Sequence, residues 1–234
     1  MNEQQIFNLN SEEYFYLDDF CVSESNKLVY EYLFSWPKWS DKIFNISGPK
    51  KSGKTFLLTT FANKFNFFKV SCKDLSSENI DEYIKLDRLI IEDISPINEK
   101  ILFLIFNDFK INNKFLIFSS EFHLSNIKFD LKDLSSRFKS LINLEILNPS
   151  DNLLYKIFLK QISSKQIKIS THLIKYTLKR IERTYEAINK FVIDIDRENL
   201  INKKKNRFKI NQQGCFKSIK KNLIFFYFNF YMIF

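Results

Sequence analysis

The sequence predicts an α/β fold, a parallel sheet covered by helices on both faces, followed by a small all-helical unit. Three observations carry that reading. Short, near-continuous apolar runs alternate with segments of helical length, the pattern of strands buried on both faces. The octet Gly48-Pro49-Lys50-Lys51-Ser52-Gly53-Lys54-Thr55 fits G-x-x-x-x-G-K-[ST] and stands between a strand and a helix, as a phosphate-binding loop requires. Beyond Pro149 the strand signal stops and only helical spacing remains.

Residues 1–11 are polar apart from Ile6, Phe7 and Leu9, and are expected to form a flexible leader. The α/β unit is assigned to 12–149. A helix through Leu28, Tyr30, Tyr32, Leu33 and Phe34 is closed by Trp36-Pro37-Lys38-Trp39. Ile43 to Ile46 reads as the strand before the loop and Phe56 to Phe65 as the helix after it. Phe67 to Ser71 is a second strand, Ile80 to Ile84 a short helix, and Leu89 to Asp93 a buried strand ending in two acids. A helix over 98–109, a strand over 115–120, a helix over 131–141 and a short strand over 144–146 complete the unit. Helices over 151–161, 171–180 and 183–196 form the second unit, 150–202, with Ser150 as the first N-cap. The basic and aromatic tail, 203–234, is expected to be disordered or outside the fold.

Two of the three glycines in the chain occupy the two positions that the loop demands. The abundance of Phe, at 27 residues, goes with an excess of Lys, Ile and Asn and is read as coding bias. Three scattered cysteines with no ligand spacing argue against zinc and a disulfide framework, and fit a reducing, cytoplasmic setting. The net charge of +9 is concentrated at one end. Eight of the 36 Lys and Arg follow Glu198, where no acid stands, and the remaining 28 nearly balance the 27 Asp and Glu. A nucleic-acid argument from global charge would therefore mislead. The last apolar run, Leu223 to Phe234, falls short of the about 20 residues a spanning helix needs. It is either an interfacial segment or an extension outside the fold. The second reading is adopted, because nothing upstream prepares a membrane role.

The loop's chemistry follows from its backbone. N–H groups of the loop and of the next helix's first turn converge on phosphates, with Gly48 and Gly53 giving the backbone its freedom. Lys54 would reach the β- and γ-phosphates and the Thr55 hydroxyl would ligate Mg²⁺. Glu92 and Asp93 end an apolar strand about forty residues on, where one carboxylate serves the metal and another the attacking water. Glu92 holds the metal-side position, though Asp is the commoner residue there, and the order of the pair does not decide between the roles. Ser119 and Ser120 end the next strand, where a hydroxyl can sense the γ-phosphate; alone they are a turn signal. Arg137 and Arg183, taken alone, are helix-surface charges or phosphate ligands.

The pattern as a whole resembles the AAA+ family of bacterial replication initiators of the DnaA type, and within it the short regulatory homologues of the Hda kind. The resemblance covers roughly residues 4–211. It is carried by Leu17-Asp18-Asp19-Phe20-Cys21-Val22 with Ser25-Asn26, by Trp36-Pro37-Lys38-Trp39, by the phosphate loop and by Leu89-Ile90-Ile91-Glu92-Asp93. Leu134-Ser135-Ser136-Arg137-Phe138, Pro149-Ser150-Asp151-Asn152-Leu153-Leu154 and Glu182-Arg183-Thr184-Tyr185-Glu186-Ala187 complete it. It implies an AAA+ P-loop NTPase core with a parallel sheet and a small all-α lid domain, binding ADP or ATP with Mg²⁺. Phe20 and Val22 would line the adenine pocket, Arg137 would be an arginine finger acting in trans, and Arg183 the lid's sensor arginine. The family commonly has Gly where Ser23 stands, two Asp where Glu92-Asp93 stand, and Asp where Glu121 stands. These departures bear on hydrolysis and not on binding, so intrinsic turnover is expected to be weak or absent.

Gln4-Gln5-Ile6-Phe7-Asn8-Leu9 resembles the Gln-x-x-hydrophobic-x-Leu peptide that docks on the sliding clamp, with Gln4 anchoring polar contacts and Phe7 and Leu9 filling an apolar groove. The self-association and helix-turn-helix modules of a full initiator are not seen. The resemblance therefore implies a regulator that promotes hydrolysis of initiator-bound ATP, with an initiator and the clamp as partners and DNA reached through the clamp. A homodimer is compatible with it. The alternative is a DNA-associated AAA+ ATPase, a loader whose tail lysines contact phosphates.

Overall fold

The computed structural model describes residues 20–205 apart from Lys168 and Ser170. Five strands, β1 (Ile43–Ser47), β2 (Phe68–Ser71), β3 (Arg88–Glu92), β4 (Phe115–Ser120) and β5 (Ile142–Glu145), form one sheet in the order β2-β3-β4-β1-β5. Every pairing is parallel. Such a sheet must be crossed over by helices, and its strands read as unbroken apolar runs because both faces are covered.

The alternation of side chains divides the core in two. Phe44, Ile46, Ile90, Ile117 and Leu144 face helices α1 (Lys27–Phe34) and α2 (Lys54–Phe65), packing on Leu33, Leu57, Leu58 and Phe61. Leu89, Ile91, Leu116 and Phe118 face the other way. There they meet α4 (Glu99–Ile111) and α5 (Lys132–Lys139) through Leu102, Ile105, Phe106, Phe109, Leu134 and Phe138; Tyr83 of the short α3 (Ile80–Ile84) joins this cluster. Each fully buried side chain of this size contributes about 1.5–3 kcal/mol. Trp39 ends α1 by donating its indole N–H to the Tyr32 carbonyl at 2.8 Å. The preceding Trp36–Pro37 peptide is cis.

Three helices follow: α6 (Asp151–Ser164), α7 (Thr171–Leu178) and α8 (Tyr185–Lys205). They bury their own cluster of Leu154, Phe158, Ile162, Ile174, Ile188 and Val192. Ser150 caps α6, accepting from the Leu153 amide at 3.3 Å. Leu153 and Tyr185 pack into the sheet's own core, which ties the helical unit down.

Element types agree with expectation; some ends differ for local reasons. β3 stops at Glu92 because Asp93 adopts a φ of 55°, outside extended geometry. β5 begins two residues earlier than expected. α8 starts at Tyr185 and not at Arg183, since the Thr184 hydroxyl accepts from the Ala187 amide at 3.1 Å and acts as its N-cap. α8 also runs past its expected end at 196 and the unit's expected limit at 202, continuing through Lys205, lysine being a good helix former. Gln4, Phe7, Leu9 and the run from Leu223 lie outside the described residues. Among the described residues no helix is long and apolar enough to cross a membrane.

Candidate nucleotide-binding site

The strand order sets β3, β4 and β1 side by side, so the chain leaves the sheet at Glu92, Ser120 and Ser47 along one edge. Ligands of open parallel sheets bind beyond such carboxyl ends. The loop Gly48–Gly53 starts there. Its first glycine is squeezed: the Ile146 amide donates to the Ser47 carbonyl at 2.8 Å. A β-carbon on Gly48 would consequently stand 2.9 Å from both Cβ and the carbonyl oxygen of Ile146. Gly53 has a φ of 93°, in the left-handed region where other residues are strained.

α2 begins directly after Gly53 with no side-chain cap and no acid in its first turn. No side chain thus competes with an anion at the helix N-terminus, where backbone N–H groups and the helix dipole favour negative charge. The Ser52 hydroxyl is buried and unpartnered beside them. Lys54 curls back on the loop, its Nζ donating to the carbonyls of Gly48 at 2.6 Å and Pro49 at 2.9 Å. Burial pushes the Lys54 ammonium below the usual lysine range, and the charges of Asp93, Glu121 and Glu92 offset part of that shift. An entering phosphate would replace two neutral carbonyls with a full counter-charge. The uncapped helix end, the unpartnered Ser52 hydroxyl and the glycine-shaped gaps fit a polyphosphate.

Phe20 lies on this loop, its ring against Gly53 and roughly parallel to those of Tyr30 and Phe56, with centroids 6.1 Å away in each case. The chain reaches that place through a turn pinned by Asn26. Its side chain accepts from the Ser23 amide at 2.8 Å and donates to the Cys21 carbonyl at 3.0 Å. Val22 is exposed. The expected base-lining pair thus has one member at the loop and one open to solvent.

Glu92 faces the α2 side, sharing that face with Ile90, and is buried. One carboxylate oxygen, Oε2, is 2.5 Å from the Lys69 ammonium of β2, and the other is buried without a partner. Asp93 is exposed just beyond. Ser119 and Ser120, adjacent in β4, point to opposite faces. Ser120 is fully buried on the α4 side: its hydroxyl accepts from Asn45 at 2.9 Å and donates to the Phe122 carbonyl at 2.6 Å. Asn45 also donates to Asn143 at 2.6 Å, and Asn143 to the Ser47 hydroxyl at 2.8 Å. The Ser120 hydroxyl therefore braces the edge of the sheet, and Ser119 has the face shared with Glu92. Glu121 pairs with Lys50 of the loop at 3.5 Å across an exposed gap.

The exposed Thr55 is open to a divalent cation, but Glu92, the other expected ligand, is not, since Lys69 holds one of its oxygens and the other is sealed from solvent. Among the described residues no group of three or more His, Cys, Asp or Glu could hold a metal ion. As arranged, the residues present do not make the expected two-ligand Mg²⁺ site.

The two arginines lie elsewhere. Arg137 is on α5, against the face of the sheet opposite α2, with its guanidinium 5.2 Å above the Phe103 ring and 5.8 Å from that of Phe106. Glu99 holds α5 against α4, its carboxylate accepting from the amides of Asp130 at 3.0 Å and Leu131 at 2.7 Å. Arg183 is exposed in the turn before α8 and pairs with Asp151 at the start of α6 at 3.2 Å. Sequence reading passed over Lys69, Ser52 and Asn45. The available signal was a polar residue inside an otherwise apolar strand, for Lys69 and Asn45 alike.

No protein-family model matches the sequence. The chromosomal replication initiator DnaA of Borrelia turicatae is 26% identical over 214 residues, covering 78% of this chain and 44% of the relative. DnaA of Borreliella burgdorferi is likewise 26% identical with the same coverage. The chain thus spans less than half the length of the curated relatives it matches. Among solved structures, domain III of Thermotoga maritima DnaA aligns with a TM-score of 0.70 at 16% identity, over 87% of this chain and 95% of that one. A DnaA bound to AMPPCP and single-stranded DNA aligns at 0.65 and 22%, over 82% of this chain and 68% of that one. The Thermotoga maritima branch-migration motor RuvB has the same kind of fold, at 0.64 and 22%, over 87% of this chain and 70% of that one. Sequence and fold point the same way: the chain has an AAA+ P-loop fold and is similar in sequence to the replication initiators of the DnaA type.

Proposed function

We propose that the chain binds an adenine nucleotide in its own loop and regulates replication initiation by promoting hydrolysis of ATP held by a DnaA-type initiator. Nucleotide binding is supported by the uncapped N-terminus of α2, the buried Ser52 hydroxyl and Lys54, and by the AMPPCP bound in similar DnaA structures. Adenine stacks beside Phe20 and Val22, and Arg183 closes from the helical lid. Regulation in trans rests on one observation above the rest. Arg137 sits on the face of the sheet away from α2 and is held there by Phe103 and Phe106, so it is available to a neighbour's nucleotide. A guanidinium presented to a γ-phosphate stabilises charge developing there, which in comparable enzymes is worth about 10³–10⁵ in rate.

The leader peptide with Gln4, Phe7 and Leu9 would bring the protein to a DNA-loaded sliding clamp and so to the initiator. Asp93, whose charge acts on Lys54, is the residue available to orient water; with Glu92 held by Lys69, turnover of the chain's own nucleotide is slow. Single-turnover hydrolysis of initiator-bound ATP tests this reading, with and without the protein and DNA-loaded clamp. Wild type should accelerate it and Arg137→Ala should not, while both bind ADP equally. Equal acceleration by the two proteins would exclude the trans finger.

A second reading is a DNA-associated ATPase. The DnaA aligned above was bound to single-stranded DNA, and α8 of this chain ends on Lys203, Lys204 and Lys205. Salt-dependent DNA affinity that vanishes when the residues after 202 are removed would favour it.

A further inference from the structure

Lys69 stands in β2, one strand away from the acids that end β3. The parallel register sets Lys69 beside Ile90 and Ser71 beside Glu92, so the side chains of Lys69 and Glu92 leave the same face of the sheet. Their charged ends meet at 2.5 Å, with the lysine side chain 26% and the glutamate side chain 9% exposed. The remaining Glu92 oxygen is buried and unpartnered. A carboxylate in that setting needs a permanent cation, because removing one partner of a buried pair leaves an uncompensated charge.

The position has a second consequence. Glu92, Asp93 and Glu121 all act on the Lys54 ammonium, so three negative charges lie within range of the lysine that meets the phosphates. Unanswered, these acids would repel a nucleotide, and a divalent cation would be needed to screen them. Lys69 already neutralises the most buried of the three. We infer that Lys69 is the resident counter-ion of Glu92 and takes over the charge-screening task of a divalent cation, so that this chain binds adenine nucleotide with little dependence on Mg²⁺. The inference rests on the nucleotide-binding reading, and the experiment separates the two.

The probe is ADP, and the readout is its dissociation constant for the full chain in excess Mg²⁺ and in excess EDTA. For wild type the two constants should differ by less than about fivefold. Lys69→Met frees Glu92 and exposes the nucleotide to its charge, so the ratio between EDTA and Mg²⁺ should rise at least about fivefold above the wild-type ratio. Lys69→Met/Glu92→Gln removes the pair together and should return the ratio to the wild-type value. Circular dichroism checks that each variant is folded; if Lys69→Met is not, the double variant and the wild-type ratio decide. A larger wild-type ratio, an unchanged ratio in folded Lys69→Met, or a double variant that stays metal-dependent would each overturn the inference. Absence of ADP binding by wild type in both buffers would instead remove the nucleotide reading itself, and the inference with it.

Discussion

The ring of Phe20 rests on Gly53, its Cε2 atom 3.0 Å from where a β-carbon on that glycine would stand. The loop's second glycine thus has two tasks: it supplies a φ of 93° and it makes room for the ring. A side chain in left-handed geometry costs about 1–2 kcal/mol before any clash. Gly53→Ala should therefore displace Phe20 and weaken ADP binding by at least about tenfold. Phe20→Ala should weaken ADP but leave pyrophosphate affinity unchanged, since only the base loses its stacking partner. Competition titrations with the two ligands distinguish the outcomes.

Lys54 gives the site a pH dependence of known sign. Its ammonium is held below the usual lysine range by burial, and a bound phosphate would raise it again. Affinity for ADP should be flat from neutral pH upward and then fall as the free protein's Lys54 loses its proton, at a lower pH than an ordinary lysine would. Binding on that limb should take up a proton. Calorimetry in buffers of different ionisation enthalpy measures the uptake; proton release would contradict the assignment.

The ion pair between Arg183 and Asp151 is open to solvent, and pairs of this kind contribute about 0–1 kcal/mol. Arg183→Ala should accordingly leave the melting temperature within error of wild type. If Arg183 closes over the phosphates, the same variant should still lose ADP affinity. Loss of stability without loss of affinity would assign the residue to the fold alone.

Tyr185 joins the helical unit to the sheet. It is buried, packs among the α1 and α2 core, and its hydroxyl lies 3.3 Å from both the Ser25 hydroxyl and the Leu147 carbonyl. Burial pushes its ionisation above the usual tyrosine range. Tyr185→Phe should cost about 1 kcal/mol, the worth of a typical hydrogen bond. Tyr185→Ala should cost about 3–5 kcal/mol, the scale of a large aromatic cavity. Urea unfolding of the two variants checks the difference.

Much of this arrangement was legible because it depends on local patterns. Strands such as Phe115–Ser120 are apolar runs bounded by polar residues, and the spacing of Gly48, Gly53, Lys54 and Thr55 specifies the loop by itself. What escaped depends on register between strands far apart in sequence. The pairing of Lys69 with Glu92 exists because β2 lies beside β3 with Ser71 opposite Glu92. The side of the sheet that Ser120 faces follows in the same way from its pairing with Ser47, which places it next to Asn45 and away from Glu92. Arg137 was readable as a helix residue, but its seat over Phe103 required the packing of α5 on α4.

Calorimetric titration of ADP into wild type and Lys54→Ala decides whether the loop is a working phosphate site. The Lys54 side chain contacts the carbonyls of Gly48 and Pro49 and lies within reach of the charges on Asp93, Glu121 and Glu92. Amides alone cannot replace its charge. Wild type should bind a single ADP and Lys54→Ala should show no measurable heat while keeping the wild-type circular dichroism spectrum. Unchanged ADP affinity in a folded Lys54→Ala protein would show that the loop is not the phosphate site.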